Sequence, residues 1–339
     1  MVYDTNKINR ATMSDSARIA VVIPSYRVRD RILDVLRHIG PEVSKIYVVD
    51  DCCPEGTGAW VARECTDPRV RVIQHERNQG VGGATITGYR TAYKEGADVV
   101  VKIDGDGQMD PSLISYFIEP ILNGQADYTK GNRFFNPEDV RTMPGLRLLG
   151  NATLSFLSKL SAGYWNIFDP TNGYTAIHGK IIGALPLEKI SQRYFFETDL
   201  LFRLNTLRCV VRDVPMPAVY GGEPSSLRIR TALGTFLWGN LRNFAKRVVY
   251  NYYLRDFSLA SMEVVIGSIA LAWGLVFGLW KWIVLASVGE FASAGTVMLS
   301  VLPIIVGVQL VLSALNYDVQ NVPRVVIHPT IRDTRFSKS

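Results

Sequence analysis

The chain has 339 residues, 47% of them hydrophobic, and a formal net charge of +6. That length is long for one domain and short for two full catalytic domains. Its four cysteines, Cys52, Cys53, Cys65 and Cys209, include no CxxC pair and have no neighbouring histidine cluster, which excludes an ordinary zinc site and points to a reduced, cytoplasmic compartment.

Residues 1–17 are polar, lack the apolar centre of a secretory signal, and are expected to be a mobile N-terminal segment. The catalytic part is therefore expected to stay on the side of the membrane where it is made. From Arg18 the composition becomes that of an α/β domain. Arg18 to Ile23 is an apolar run stopped by Pro24, and Asp30 to Ile39 has helical spacing at Ile32, Val35, Leu36 and Ile39. Lys45 to Val49, Val70 to Ile73 and Ala97 to Ile103 are three further strands with helical stretches between them. This alternation predicts βαβ units and a mainly parallel sheet. The Gly80 to Gly83 run resembles a phosphate loop without the full dinucleotide spacing, and is read mainly as a turn and helix start.

Ligands of such sheets gather beyond the carboxyl ends of the strands. Asp50 and Asp51 follow the second strand there, and Asp104 and Asp106 follow the fourth. Two carboxylates at i and i+2 after an apolar strand can aim at one hard cation, Mg²⁺ or Mn²⁺, which commonly keeps one or two carboxylates plus substrate phosphates. In a random surface loop the same DxD would be a solvated turn.

The C-terminal third differs in kind. Val264 to Ala286 carries one charge, Lys281, and Thr296 to Leu315 carries none. At about 1.5 Å per residue each can cross a hydrocarbon core of roughly 30 Å. Arg255 precedes the pair and Arg324, Arg332 and Arg335 follow it, whereas the connection holds only Glu290. The positive-inside tendency then places both ends in the cytoplasm of a multi-pass protein of the inner (plasma) membrane. Ahead of the spans, Arg228, Arg230, Arg242, Lys246, Arg247 and Arg255 stand against one acid, Asp256. Basic charge next to apolar spans suits anionic lipid and disfavours nucleic acid as partner. Within it, Leu233, Phe236, Leu237, Leu241, Phe244, Val248 and Tyr252 recur at steps of three and four. Two readings stand for that helix, lying in the membrane interface or packing against the soluble domain. The expected organisation is a catalytic domain over 18–224, a basic amphipathic segment over 225–258, a two-helix membrane module over 262–316 and a cytoplasmic tail over 317–339. The spans also allow a homo-oligomer.

Val21-Val22-Ile23-Pro24-Ser25-Tyr26, Val48-Val49-Asp50-Asp51 and the Asp104-to-Pro111 run match, in order and spacing, the inverting glycosyltransferases of family 2. Gly131-Asn132-Arg133-Phe134, Asp169-Pro170-Thr171-Asn172-Gly173-Tyr174 and Phe195-Phe196-Glu197 resemble its dolichyl-phosphate mannose synthase and polyprenyl-phosphate glycosyltransferase branch. The resemblance implies a GT-A fold and transfer of a sugar from a UDP- or GDP-sugar to a polyprenyl phosphate. It places Pro24, Tyr26, Val49, Asp51, Asp104, Gly105 and Asp106 on the nucleotide-sugar, and Asp104, Asp106 and Gln108 on the metal. Arg133, Arg147 and Asn151 would meet the acceptor phosphate, with Asp169, Arg133 and Glu197 as catalytic groups. Arg27 and Val28 replace the Asn-Glu that often follows the family tyrosine, and Cys52-Cys53 replaces Gly-Ser, so the base identity stays open. A phosphate acceptor is already anionic near neutral pH, so Asp169 is expected to orient groups or stabilise charge more than to abstract a proton. A processive polysaccharide synthase is the nearest rival, but Gln192-Arg193-Tyr194 does not supply its Gln-x-x-Arg-Trp motif.

Overall fold

A computed structural model describes residues 17–135, 145–217 and 229–333, and within these the side chains of 145–149, 151 and 229–233 lie outside the description. The expected mobile N-terminal segment, except Ala17, and the boundary near 224 also lie outside the described residues. The chain divides into two compact units, residues 1–243 with 323–339, and residues 244–322.

The first unit is built on a seven-stranded sheet of order β3-β2-β1-β4-β6-β5-β7. Its strands are β1 (Ile19–Ser25), β2 (Lys45–Asp50), β3 (Val70–Gln74), β4 (Val99–Lys102), β5 (Tyr128–Asn132), β6 (Thr175–His178) and β7 (Val211–Pro215). Only β6 runs antiparallel to its neighbours. Helices α1 (Arg29–Arg37), α2 (Thr57–Glu64), α3 (Gly80–Lys94) and α4 (Ile114–Leu122) follow the first four strands. α5 (Gly145–Ala162), α6 (Gly179–Ala184) and α7 (Phe196–Leu207) complete the catalytic part.

β1 runs through Pro24 instead of stopping before it, and all seven of its residues are buried. The reason lies in the register. Ile103 N–H donates to Val22 O, so Val22 and, two residues on, Pro24 point toward β4. The β1–β4 ladder ends at the Val22–Lys102 pair, so Pro24 has no strand on that side to receive a donor it lacks. β1 continues with β2 alone as far as Ser25 and Asp50. This early end of β4 opens the sheet where the carboxylates stand.

The first unit also contains the chain after the apolar hairpin. Asp127, at the foot of β5, accepts N–H bonds from Val210, Ile327 and His328. Residues 323–333 are thus held on the sheet end opposite the cavity, and Tyr93 Oη donates to Asp333 at 3.2 Å.

Helix α8 (Ile229–Val249) leads out of the first unit. Asn240 and Asn243 are buried, receiving a bond from Ser161 Oγ and donating to Asp199 Oδ1 respectively. Leu237, Trp238 and Leu241 on the opposite side are exposed. The expected apolar stripe is therefore divided: Phe236 packs on Phe195, while Leu237 and Leu241 face outward.

The second unit contains the end of α8, a π-helical turn over Tyr250–Arg255, and two long helices, α9 (Leu259–Val288) and α10 (Ala294–Gln320). Both are long and apolar enough to cross a membrane. They extend beyond the expected 264–286 and 296–315 spans, because a capping box at Ser258 and Ser261 starts α9 early and Gly289, at φ +72°, ends it late. Gly267, Gly274, Gly278 and Gly307 bring the two backbones together, and Ser300 Oγ donates across to Gly274 O at 2.9 Å. At the base, Arg247 pairs with Asp318, which also accepts from Tyr252 Oη at 2.7 Å.

Candidate active site

A cavity of about 820 Å³ opens beyond the carboxyl ends of β1, β2 and β4. Pro24, Tyr26, Asp51, Asp104, Gly105, Asp106 and Glu197 line it, which brings together most of the residues expected on the nucleotide-sugar. Val49 is different, being fully buried inside β2.

Asp51 lines the cavity with a carboxylate that is already engaged. It accepts the N–H groups of Gln79 and Gly80 and lies 2.8 Å from His75 Nδ1. Asp50 behind it accepts from Cys53 N and Gly58 N. The pair therefore fixes the starts of α3 and α2, and Asp51 shapes the pocket wall through the loop it ties down. The glycine run at the start of α3 serves close approach: a Cβ on Gly82 would stand 2.5 Å from Ser191 O, and one on Gly80 2.7 Å from Gln192 O. This agrees with a turn and helix start. Arg193 and Tyr194 of the facing segment also line the cavity.

The DxD turn follows β4 directly. Gly107 has φ +77°, a conformation glycine adopts freely, and Asp106 Oδ1 accepts from Gln108 N at 3.0 Å. Gln108 therefore closes the turn through its backbone. Among the described residues no group of three or more His, Cys, Asp or Glu is arranged to hold a metal. Two half-exposed carboxylates fit a hard divalent cation whose other ligands are substrate phosphate oxygens and water.

Lys102, the last residue of β4, is 1% exposed, with Nζ 2.9 Å from Asp104 Oδ1 and 3.5 Å from Glu197 Oε1. Burial alone would lower its pKa, but the Asp104 and Glu197 carboxylates outweigh burial and raise it. One ammonium thus joins the carboxylate expected at the metal to the carboxylate expected at the sugar. Gly173 leaves room for this contact, since a Cβ there would be 2.6 Å from Lys102 Nζ.

Arg133 and Asp169 form a two-pronged pair, Nε to Oδ2 at 2.7 Å and Nη2 to Oδ1 at 3.1 Å. Asp169 is fully buried, and Thr171 Oγ1 also donates to it. The guanidinium engages both carboxylate oxygens, which fixes the two side chains against each other. Beneath this pair Lys130 of β5 is fully buried and donates to Asn172 O. Burial pushes its pKa down to about 8, with Glu197 and Asp169 pulling against that fall. Arg147 and Asn151 belong to α5, but their side chains lie outside the described residues.

Sequence reading missed Lys102, Lys130, Arg193 and Asp213. A lysine inside an otherwise apolar strand, as in Val-Val-Val-Lys, was the available signal, because lysine is almost never fully buried unless paired.

An open α/β sheet with two adjacent carboxylates beyond a central strand is the layout of a GT-A glycosyltransferase. The family model for glycosyl transferase family 2 matches residues 20–185. A UDP-N-acetylglucosamine–dolichyl-phosphate N-acetylglucosaminyltransferase of Methanococcus voltae is 31% identical, over 60% of this chain and 86% of the relative. An undecaprenyl-phosphate mannosyltransferase of Micrococcus luteus is 32% identical, over 60% of this chain and 84% of the relative. Among solved structures, glucosyl-3-phosphoglycerate synthase of Mycobacterium tuberculosis, in complex with Mn²⁺, UDP and glucosyl-3-phosphoglycerate, superposes with a TM-score of 0.52 at 19% identity. That match covers 68% of this chain and 80% of the other, and concerns the fold. The chain belongs to glycosyl transferase family 2, in its polyprenyl-phosphate glycosyltransferase branch, and is a glycosyltransferase.

Proposed function

We propose that the protein transfers a sugar from a UDP- or GDP-sugar to a polyprenyl phosphate, undecaprenyl phosphate in a bacterial membrane, on the cytoplasmic face. The observation that carries this reading is the placement of Asp104 and Asp106 on the wall of a nucleotide-sized cavity in a chain that also has two membrane-length helices. Its relatives' lipid-phosphate acceptors support the same acceptor class.

Asp104 and Asp106 would hold Mg²⁺ or Mn²⁺, which when bound offsets negative charge on the departing nucleoside diphosphate. Lys102 keeps Asp104 and Glu197 beside each other without mutual repulsion. Arg133 presents a guanidinium suited to phosphate, backed by Asp169. An anionic phosphate oxygen needs no strong base to attack the anomeric carbon. An Asp169 already committed to Arg133 therefore suits a single displacement with inversion in which the acceptor gives up no proton.

The chain before residue 244 and the chain after residue 322 both belong to the catalytic unit, which supports two crossings with the flanking segments on one side of the membrane. The outward Leu237, Trp238 and Leu241 beside Arg242 and Lys246 suit an anionic bilayer interface.

The test presents the purified full chain with a panel of radiolabelled UDP- and GDP-sugars, undecaprenyl phosphate, and Mg²⁺ or Mn²⁺. Label is expected in the organic-extractable lipid, dependent on the cation. Label found in a water-soluble polymer, or in no product with any donor, would overturn the reading.

A further inference from the structure

We infer that Asp213 of β7 is a positioning residue that sets Arg133 and Asp169 in their working geometry. The inference rests on the function proposed above.

Asp213 stands in register with Lys130 across the β5–β7 ladder. Its Oδ2 accepts from Asn132 Nδ2 at 3.2 Å and from the Phe168 backbone N–H at 2.9 Å. Those two donors are the residues immediately before Arg133 and Asp169. Asn132 completes the link, since its Oδ1 accepts from Phe134 N at 2.9 Å. One amide therefore spans the turn that carries Arg133, and Asp213 decides how that amide faces. A single carboxylate oxygen thus joins two segments that are distant in sequence but deliver the two halves of one ion pair.

The other oxygen argues for more than scaffolding. Asp213 Oδ1 is buried and has no hydrogen-bond partner among the described residues. An asparagine could accept the same N–H with less to lose on burial, because an unpaired buried carboxylate oxygen is costly. The charged groups around Asp213 are Asp169 on the loop before β6, Lys130 on β5 and Lys159 on α5. Its charge offsets the two lysines and leaves Arg133 to Asp169. Burial and the nearby Asp169 push its pKa up to about 6, against the Phe168 N–H bond and the lysines. Acid should therefore discharge Asp213.

The experiment compares the full chain in detergent with Asp213→Ala and Asp213→Asn, each checked by thermal melt. Hydrogen exchange in the segments around Phe168 and Arg133 is expected to rise about tenfold or more in Asp213→Ala. Binding of UDP and GDP with Mn²⁺ should stay within about twofold. With the best donor from the panel, kcat should fall about tenfold or more while KM for the nucleotide-sugar shifts less than about threefold. The loss of activity below about pH 6 should disappear in Asp213→Asn. A folded Asp213→Ala with wild-type exchange at Phe168, or with wild-type kcat, overturns the proposal. Should Asp213→Ala fail to fold, Asp213→Asn, which keeps the acceptor and loses the charge, decides through kcat and the acid limb: wild-type kcat with the acid loss retained overturns the proposal. If the wild type transfers no sugar, the proposed function fails, and the exchange measurement still decides the role of Asp213.

Discussion

Asp127 and His328 stand 201 residues apart in sequence, yet Asp127 Oδ1 accepts the His328 backbone N–H at 2.9 Å and lies 2.8 Å from His328 Nδ1. His328 in turn stacks on His178, ring centroids 4.2 Å apart. Burial opposes ionisation of Asp127, but the His328 side chain and the N–H groups of Val210, His328 and Ile327 outweigh it and hold the carboxyl below its usual range.

This cluster predicts acid lability. Burial, aided by His328 and Lys180, pushes the pKa of His178 down to about 4. Its Nδ1 accepts the Lys180 N–H at the start of α6, which requires the neutral ring. The unfolded chain therefore binds a proton that the folded chain refuses between roughly pH 6.5 and 4, so stability falls with pH through that window. The contribution is about 3 kcal/mol in full, at 1.36 kcal/mol per unit. Asp127, depressed in the folded state, adds a loss only below the ordinary carboxylate range of about 4. The thermal midpoint in detergent should drop from pH 7 to pH 5. His178→Asn, which keeps a capping acceptor, should flatten that dependence, and an unchanged slope in this variant would contradict the assignment.

At the rim of the cavity, Asp106→Ala should lower transfer by on the order of 10²–10³-fold, since charge stabilisation of the leaving group is lost. Mn²⁺-dependent nucleotide binding should weaken with it, while the melting curve stays close to wild type. Lys102→Met tests the neighbouring contact. It leaves Asp104 and Glu197 without their shared ammonium, so both stability and cation dependence should change. Normal turnover by Asp106→Ala would remove the metal assignment.

Arg133→Lys keeps a charge but cannot reproduce the fork on Asp169, so activity should fall by roughly 10–100-fold. On the proposed reading Asp169 holds Arg133 in place, so Asp169→Asn should lower kcat across the whole alkaline range. Recovery of Asp169→Asn at high pH would point instead to proton abstraction.

The first half of the sheet was legible because β1, β2 and β4 are apolar, β-branched runs, the pattern of parallel strands buried on both faces. The DxD turn could be read for the same reason, since it follows such a run. β5 and β7 were not legible as strands. Thr129, Lys130 and Asn132 are buried polar residues, and Asp213 interrupts Val-Arg-Asp-Val-Pro, so hydropathy hides them. Two of them, Asn132 and Asp213, make the contacts next to Arg133 and Asp169. The pairing of Arg133 with Asp169 and the anchorage of 323–333 on Asp127 depend on contacts across long sequence separations, which no local pattern carries.

Between α9 and α10 the glycines make a sharper test of packing. A Cβ on Gly307 would lie 2.7 Å from Leu271 Cγ and 2.8 Å from Gly267 O, whereas Gly295 would meet only Ser293 Oγ at 3.8 Å. In lipid the apolar surface gives no drive to associate, so the close approach of backbones carries the attraction between helices. Gly307→Val should therefore wedge the hairpin apart and cost about 1–3 kcal/mol, the usual range for overpacking. Gly295→Ala, with open space and an ordinary backbone angle, should cost little. Limited proteolysis in detergent would report the difference, with Gly307→Val cut faster and Gly295→Ala resistant. Equal resistance of the two variants would mean that the glycine contact does not hold the helices together. The Gly274–Gly278 pair, already used against Ser300 within the hairpin, would then become available for a second copy of the chain.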